Sequence, residues 1–215
     1  LCLILILQAI IFFILYLQMP MSLNLFAMRN VQHTLLGIPI EPASYQVFNS
    51  LWIIILSPVL AIAYNQLAYR GKDLSIPGKF ATGTFVTGIG FLILPFAATF
   101  AAHDGVISGG WLVAFYLFES TGELLVSALG LAMVSRYVPE RLMGFTMGAW
   151  FLCTSIAGII AGHVASLASI PQSITDPVQS LAIYSHVFRN IGIATLIIAL
   201  IMACFVPLLK RLSDH

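Results

Sequence analysis

Hydrophobic residues form six long runs along the chain, and short polar segments separate them. Each run is long enough to cross the roughly 30 Å hydrocarbon core of a bilayer as a helix, which takes about 20 residues. The pattern therefore predicts six membrane-spanning helices. They cover Leu1 to Ala27, Val47 to Tyr69, Lys79 to Ala101, Trp111 to Tyr137, Leu142 to Leu167, and Val187 to Leu209.

Lysine and arginine cluster in alternate connections between these runs. The clusters are Arg70, Lys72 and Lys79, then Arg136 and Arg141, and finally Lys210 and Arg211. The positive-inside rule then predicts that both ends of the segment and the two basic turns are cytoplasmic. The longer loops, 29–46 and 168–186, are expected outside, where Asp176 before Pro177 predicts the start of a short interfacial helix.

Composition places the chain outside the range of soluble domains, with 60% hydrophobic and 8% charged residues. The net charge of +1 argues against a nucleic-acid partner. Cys2, Cys153 and Cys204 all lie inside apolar runs, so neither a disulfide framework nor a metal site is expected. The chain opens on an apolar run without Met or a charged leader, and we expect an internal piece of a longer protein.

Proline and glycine interrupt the predicted helices. Pro20, Pro58 and Pro95 lie inside the first three spans, where proline bends a helix. In the fifth span GFTMG and GIIAG fit the GxxxG pattern, which predicts close contact between helix backbones. Six spans with both ends inside also permit a three-plus-three inverted repeat, although no repeat is visible in residue identities.

Two carboxylates, Glu119 and Glu123, lie near the middle of the fourth span. Their spacing of four residues puts both on one helical face, which must look into protein or a water-filled cavity. Burial and a neighbouring carboxylate both favour the protonated form of a carboxyl group, so one of the two is expected to be able to stay neutral. This face is the first functional hypothesis.

Three other polar or amphipathic side chains are candidates at membrane depth, and each also has an ordinary structural interpretation. Ser127 either shares a ligand with Glu123 or bonds the carbonyl four residues earlier. Trp150 either packs in the bundle or walls a cavity. Asn49 lies near the outer end of its span, where a solvated polar residue needs no function.

An enzyme is not expected. An intramembrane serine protease needs a serine and a histidine at one depth, and Ser108 and His163 come nearest. Ser108 lies in a loop, and no G-x-S-x-G is present. A channel or a non-transporting membrane subunit would tolerate this composition but gives no reason for a carboxylate pair on one face.

Several segments resemble the proton-coupled oligopeptide transporters, and within them the bacterial di- and tripeptide permeases of the enterobacterial type. They are QMPMSLNLFAMRN, FNSLWIIILSPVLA and ESTGELLVSALGLAMVSRYVPERLMGFTMGAWFLCTSIAGIIAG. The most specific part has the form E-L-x-x-S-x-x-G-L-x-M-V followed by M-G-x-W-F-L. Because such transporters have twelve or more spans, the resemblance implies that residues 1–215 form the C-terminal six-helix bundle, helices seven to twelve of a major-facilitator transporter.

The resemblance also implies roles for individual residues. Glu123 would receive the positively charged amino terminus of a peptide, with Ser127 beside it, Trp150 walling the pocket and Asn49 bonding the peptide. A desolvated ammonium and a carboxylate form a charge-assisted hydrogen bond that an uncharged analogue cannot replace. Glu119, which has no general counterpart in the family, is predicted as a partner of Glu123.

Two positions depart from the family pattern. Leu17 stands where many members have an acidic residue, and Ser50 stands where many have proline. The E-x-x-E-R-F motif and the basic residues that receive the peptide carboxylate belong to the N-terminal bundle, so the proton route cannot be inferred from these residues.

The sequence thus predicts an all-α membrane protein of the bacterial inner membrane that moves di- and tripeptides with protons by alternating access. The expected partners are the peptide, protons, the lipid bilayer and the N-terminal bundle, and no cofactor is expected besides the coupling proton. The alternatives are a major-facilitator transporter of another cargo, such as a cationic drug exchanged for protons, and a non-transporting subunit.

The six helices have no opposing bundle to rock against, and we predict that residues 1–215 alone do not transport. Vesicles containing only this segment should take up no labelled dipeptide above the level of empty vesicles. Uptake that exceeds this background and responds to a pH gradient would contradict the prediction.

Overall fold

A computed structural model describes residues 2–71, 75–101, 104–128, 138–171 and 174–213. The α-helices within these ranges are α1 (Cys2–Tyr16), α2 (Asn24–Asn30), α3 (Val47–Tyr69), α4 (Ile76–Ala98), α5 (Gly109–Glu123), α6 (Glu140–Leu167) and α7 (Pro177–Ser213). Two π-helical segments, Met19–Leu23 and Leu124–Ala128, adjoin α2 and α5, and a 3₁₀ turn, Pro42–Gln46, precedes α3. A short antiparallel hairpin joins β1 (Thr34–Leu35) to β2 (Ile38–Pro39).

The described helices confirm the all-α membrane fold. Five stretches are long and apolar enough to cross a membrane: Ile4–Asn30, Pro42–Tyr69, Ile76–Ala98, Glu140–Leu167 and Pro177–Leu209. They match the first, second, third, fifth and sixth predicted spans. The fourth begins at Gly109 and is described as far as Ala128. The rest of that span lies outside the described residues, as do Lys72 and Arg136 of the basic turns.

The short interfacial helix expected at Asp176 is wrong, because α7 runs without a break from Pro177 to Ser213. Asp176 does start the helix, since its Oδ1 accepts a hydrogen bond from the Val178 N–H at 3.0 Å. Leu181, Tyr184 and Phe188 then recur at helical spacing and are all buried. This continuous apolar stripe carries the loop segment directly into the membrane span.

Pro20 lies in the first π-helical segment. Here the Leu23 N–H bonds the Gln18 carbonyl, five residues back, at 2.9 Å. The Gln18 side chain, fully buried, donates to the Ala161 carbonyl of α6 and accepts from Ser22, at 3.1 and 2.7 Å. The π-helical segment that contains Pro20 is therefore linked to α6 by a buried amide.

The GxxxG prediction for the fifth span is not supported by the helix contacts. A Cβ placed on Gly144, Gly148 or Gly162 would meet nothing within 4 Å, and one on Gly158 would meet only Leu17, at 3.8 Å. These glycines lie on the outer side of α6, whose buried residues include Trp150, Ala157 and Ala161. Glycine is frequent in membrane helices in general, so the pattern alone does not locate a contact between helices.

Close helix approach occurs instead between α4 and α7. A Cβ on Gly192 would lie 2.6 Å from Leu92 Cδ2 and 3.1 Å from the Gly88 carbonyl oxygen. A Cβ on Gly88 would in turn lie 3.0 Å from Leu196. The two helices thus approach each other through Gly88 and Gly192, and neither glycine belongs to a GxxxG motif.

Two apolar clusters make up the core. The first joins α2, α4, α5 and α7 around Phe91, Phe115 and Phe188, and the second joins α1, α4 and α6 around Phe12, Phe80 and Trp150. Tyr16 packs against both clusters.

We expect Gly192→Ala to destabilise the fold by about 1–3 kcal/mol, since the added methyl group overpacks the α4–α7 contact. Gly162→Ala is the matched control. Its methyl group meets nothing, so helix propensity should make it neutral or stabilising by up to about 1 kcal/mol. Thermal unfolding of the purified protein in detergent compares the two, and equal loss of stability in both would contradict the packing described.

Candidate functional site

One hydrogen-bonded cluster connects α3 to α5. The Asn49 side-chain N–H group donates to Glu123 Oε2 at 3.0 Å and to Ser120 Oγ at 3.1 Å. The Ser120 hydroxyl donates back to the Asn49 carbonyl, also at 3.1 Å. Asn49 and Ser120 are buried, and Glu123 is half-buried. The cluster thus fixes one oxygen of a carboxylate that is still partly accessible.

The position of Asn49 explains how α3 is held. All 23 residues of α3 are described, and Asn49, in its first turn, is the only one that is buried. Of the two interpretations of Asn49, the solvated polar residue is therefore wrong, since the packing of α3 on α5 encloses its side chain. The amide then needs partners inside the protein. Ser120 and Glu123 supply them from successive turns of α5.

Glu119, one turn before Glu123, has a different environment. Its side chain is fully buried, and neither carboxyl oxygen has a hydrogen-bond partner among the described residues. Tyr16 of α1 and Tyr116 of α5 lie close enough to interact electrostatically with it, and so does Glu123. The two carboxylates, which were predicted to share one helical face, therefore differ in burial: Glu123 is half-buried and Glu119 is fully buried.

The structure brings together Asn49, Glu123 and, through the helix spacing, Glu119. Trp150 is buried in the second apolar cluster, with its ring edge-to-face with Phe13 at 5.7 Å between centroids. Ser127 is half-buried in the π-helical segment that begins directly after Glu123. Within the described ranges, Asn49 is the residue that hydrogen-bonds Glu123, so the binding roles of Ser127 and Trp150 stay predictions.

Sequence reasoning gave no role to two residues of this site. Ser120 was recognisable only as a polar residue at membrane depth, and its bonds to Asn49 depend on the α3–α5 contact. Tyr16 carries a hydroxyl at the level of both carboxylates, yet in the sequence it is one aromatic among several in an apolar run.

The Glu123 carboxylate gives the site a hydrogen-bond acceptor. In the described ranges no group of three or more His, Cys, Asp or Glu side chains could hold a metal. A half-buried carboxylate steadied by an amide can accept hydrogen bonds from an ammonium group.

Comparison with known proteins identifies the family. The model of the POT family, PTR2, matches residues 1–183. The chain belongs to the POT family. A dipeptide and tripeptide permease A of Salmonella typhimurium is 54% identical over 211 residues, and a permease B of Xenorhabdus bovienii is 52% identical over 209. These matches cover 97–98% of this POT chain, which spans only 42–43% of the relatives' length.

Solved structures of POT transporters share the fold. Tetrameric PepTSo2 superposes with a TM-score of 0.81 at 40% identity, covering 98% of this chain and 43% of that one. A structure that gives insights into substrate recognition in proton dependent oligopeptide transporters superposes at 0.80 with 42% identity and the same coverage. The helical arrangement is therefore that of the POT family, and the assignment to helices seven to twelve stays a prediction.

We predict that Asn49 and Glu123 are energetically coupled. In a double-mutant cycle of Asn49→Ala and Glu123→Gln, the losses of stability should be non-additive by about 0.5–3 kcal/mol, because the substitutions remove partners of one hydrogen bond. Asn65→Ala, on an exposed position of the same helix, is the control and should be additive with Glu123→Gln. Thermal unfolding measures both cycles, and additivity at Asn49 would show that the contact carries no energy.

Proposed function

We propose that this chain is the part of a proton-coupled symporter that binds the amino terminus of di- and tripeptides, with Glu123 as the ammonium receptor. The observation that carries the proposal is the half-buried Glu123 carboxylate, held at one oxygen by Asn49. Membership of the POT family and the similarity to named dipeptide and tripeptide permeases support the choice of cargo.

The chemistry favours recognition of what all short peptides share. Peptides differ in side chain but have one ammonium end, and a partly desolvated carboxylate binds that group through charge-assisted hydrogen bonds. Asn49 would keep the Glu123 carboxylate oriented and would exchange its bond for one to the peptide. Ser127 and Trp150 would complete the pocket on the side of the π-helical segment and of α6.

The remaining parts of the proposal concern the whole transporter. Transport would occur at the bacterial inner membrane, with both ends of this segment cytoplasmic, as the basic turns predict. An N-terminal six-helix bundle would form the opposite wall of the cavity and receive the peptide carboxylate. Protons would be the coupling ion, since a membrane carboxylate can bind and release them during alternating access.

We expect Glu123→Gln in the full-length transporter to lower uptake of a labelled dipeptide about 10- to 150-fold. The substitution removes a hydrogen bond to a charged group, worth about 1.5–3 kcal/mol. Uptake into vesicles is measured at matched protein level under a pH gradient, with an amino-terminally acetylated dipeptide as competitor. The acetylated peptide should fail to compete with the wild type.

Glu140→Gln is the matched control, because Glu140 is an exposed carboxylate at the start of α6. It should leave uptake unchanged. Uptake that survives Glu123→Gln would contradict the ammonium-receptor role. Efficient competition by the acetylated peptide, or transport of a cationic drug in place of peptides, would favour another cargo.

A further inference from the structure

The carboxyl group of Glu119 has no hydrogen-bond donor among the described residues that would stabilise its ionised form. Its side chain has no exposed surface, and both oxygens are without a hydrogen-bond partner among the described residues. Burial of a carboxylate without donors or a counter-ion is far less favourable than burial of a neutral carboxylic acid. Geometry alone therefore disfavours an ionised Glu119.

Among the described residues, the ionisable groups that interact electrostatically with Glu119 are two tyrosines and one carboxylate, and none of them is a cation. They are Tyr16 of α1, and Tyr116 and Glu123 of α5. The neighbouring amide of α3, Asn49, donates to Ser120 and Glu123 instead. On α4, the Thr87 hydroxyl lies against Gly122 and carries no charge.

Glu123, in contrast, is equipped to carry a charge. It is half-buried and accepts a hydrogen bond at 3.0 Å from Asn49. Two interacting carboxyl groups one turn apart seldom ionise together, and the proton goes to the member with the poorer solvation.

We propose that Glu119 is a proton-holding site: its carboxyl group keeps a proton while Glu123, one turn away, carries the single negative charge of the pair. The proton site itself is a property of the resting protein. Its use in coupling rests on the proposed function, because the proton on Glu119 and the ammonium at Glu123 would then be linked through the charge of the same pair.

Infrared spectroscopy of the full-length protein without peptide tests the site directly. At neutral pH the wild type should show the C=O band of a protonated carboxyl group, with the downshift in deuterium oxide that identifies it. Glu119→Gln should lose this band, while Glu123→Gln and the exposed control Glu140→Gln should keep it. A band that persists in Glu119→Gln, or that disappears in Glu123→Gln instead, would overturn the assignment.

A second variant, Glu119→Asp, tests the proposal even if Glu119→Gln does not fold. Glu119→Asp retains a carboxyl group in a slightly different environment and should shift the band, and an unshifted band would again overturn the proposal. Because no peptide is present, the outcome does not depend on whether the protein transports peptides.

The use of the proton is tested separately, by gradient-driven dipeptide uptake over a range of external pH. Glu119→Gln should flatten the pH dependence that Glu140→Gln preserves. A profile identical to that of the wild type, together with loss of the infrared band, would overturn the coupling role and leave Glu119 as a structural buried acid. A failure of the wild type to transport peptide would instead contradict the proposed function.

Discussion

Hydrogen bonding without water is the constraint on which this fold depends. In the hydrocarbon core no water is available to polar side chains, so a partner inside the protein stabilises such a group and the lack of one is costly. Asn49 finds such partners in Ser120 and Glu123, and it is the only buried residue of α3. Gln18 does the same between the π-helical segment that contains Pro20 and α6. Buried amides thus help to orient helices, and in α3 the Trp52 indole adds a hydrogen bond to the Val113 carbonyl of α5 at 3.0 Å.

The site lies next to a segment where the regular α-helix is interrupted. The π-helical segment Leu124–Ala128 begins directly after Glu123, and a second one, Met19–Leu23, follows α1 close to Tyr16. Single-turn π-bulges are frequent at functional sites because they change the direction of side chains at little cost in backbone bonds. The bundle therefore contains two kinds of helix contact. α4 and α7 pack closely through glycines, whereas the helices beside the carboxylates contain π-helical segments.

Much of the fold followed from the sequence, because apolar length and charge position act locally. The spans, the shared face of Glu119 and Glu123 and the family segments needed no knowledge of neighbours. The GxxxG interpretation of α6 was wrong, because the motif describes small residues on one face of a helix and does not determine whether another helix packs against that face. A solvated Asn49 stayed an open interpretation for the same reason: depth along a helix does not tell which side faces another helix.

The sequence by itself determined that this chain is an α-helical membrane protein with a carboxylate pair at membrane depth, since hydropathy and helical spacing depend only on residue order. Only the tertiary structure decided that the two carboxylates differ. Contact with α3 gives the half-buried Glu123 an amide donor, while Glu119 is fully buried without a donor among the described residues. The difference arises from residues of α1 and α3, far away in sequence, whose placement depends on the packing of the whole bundle.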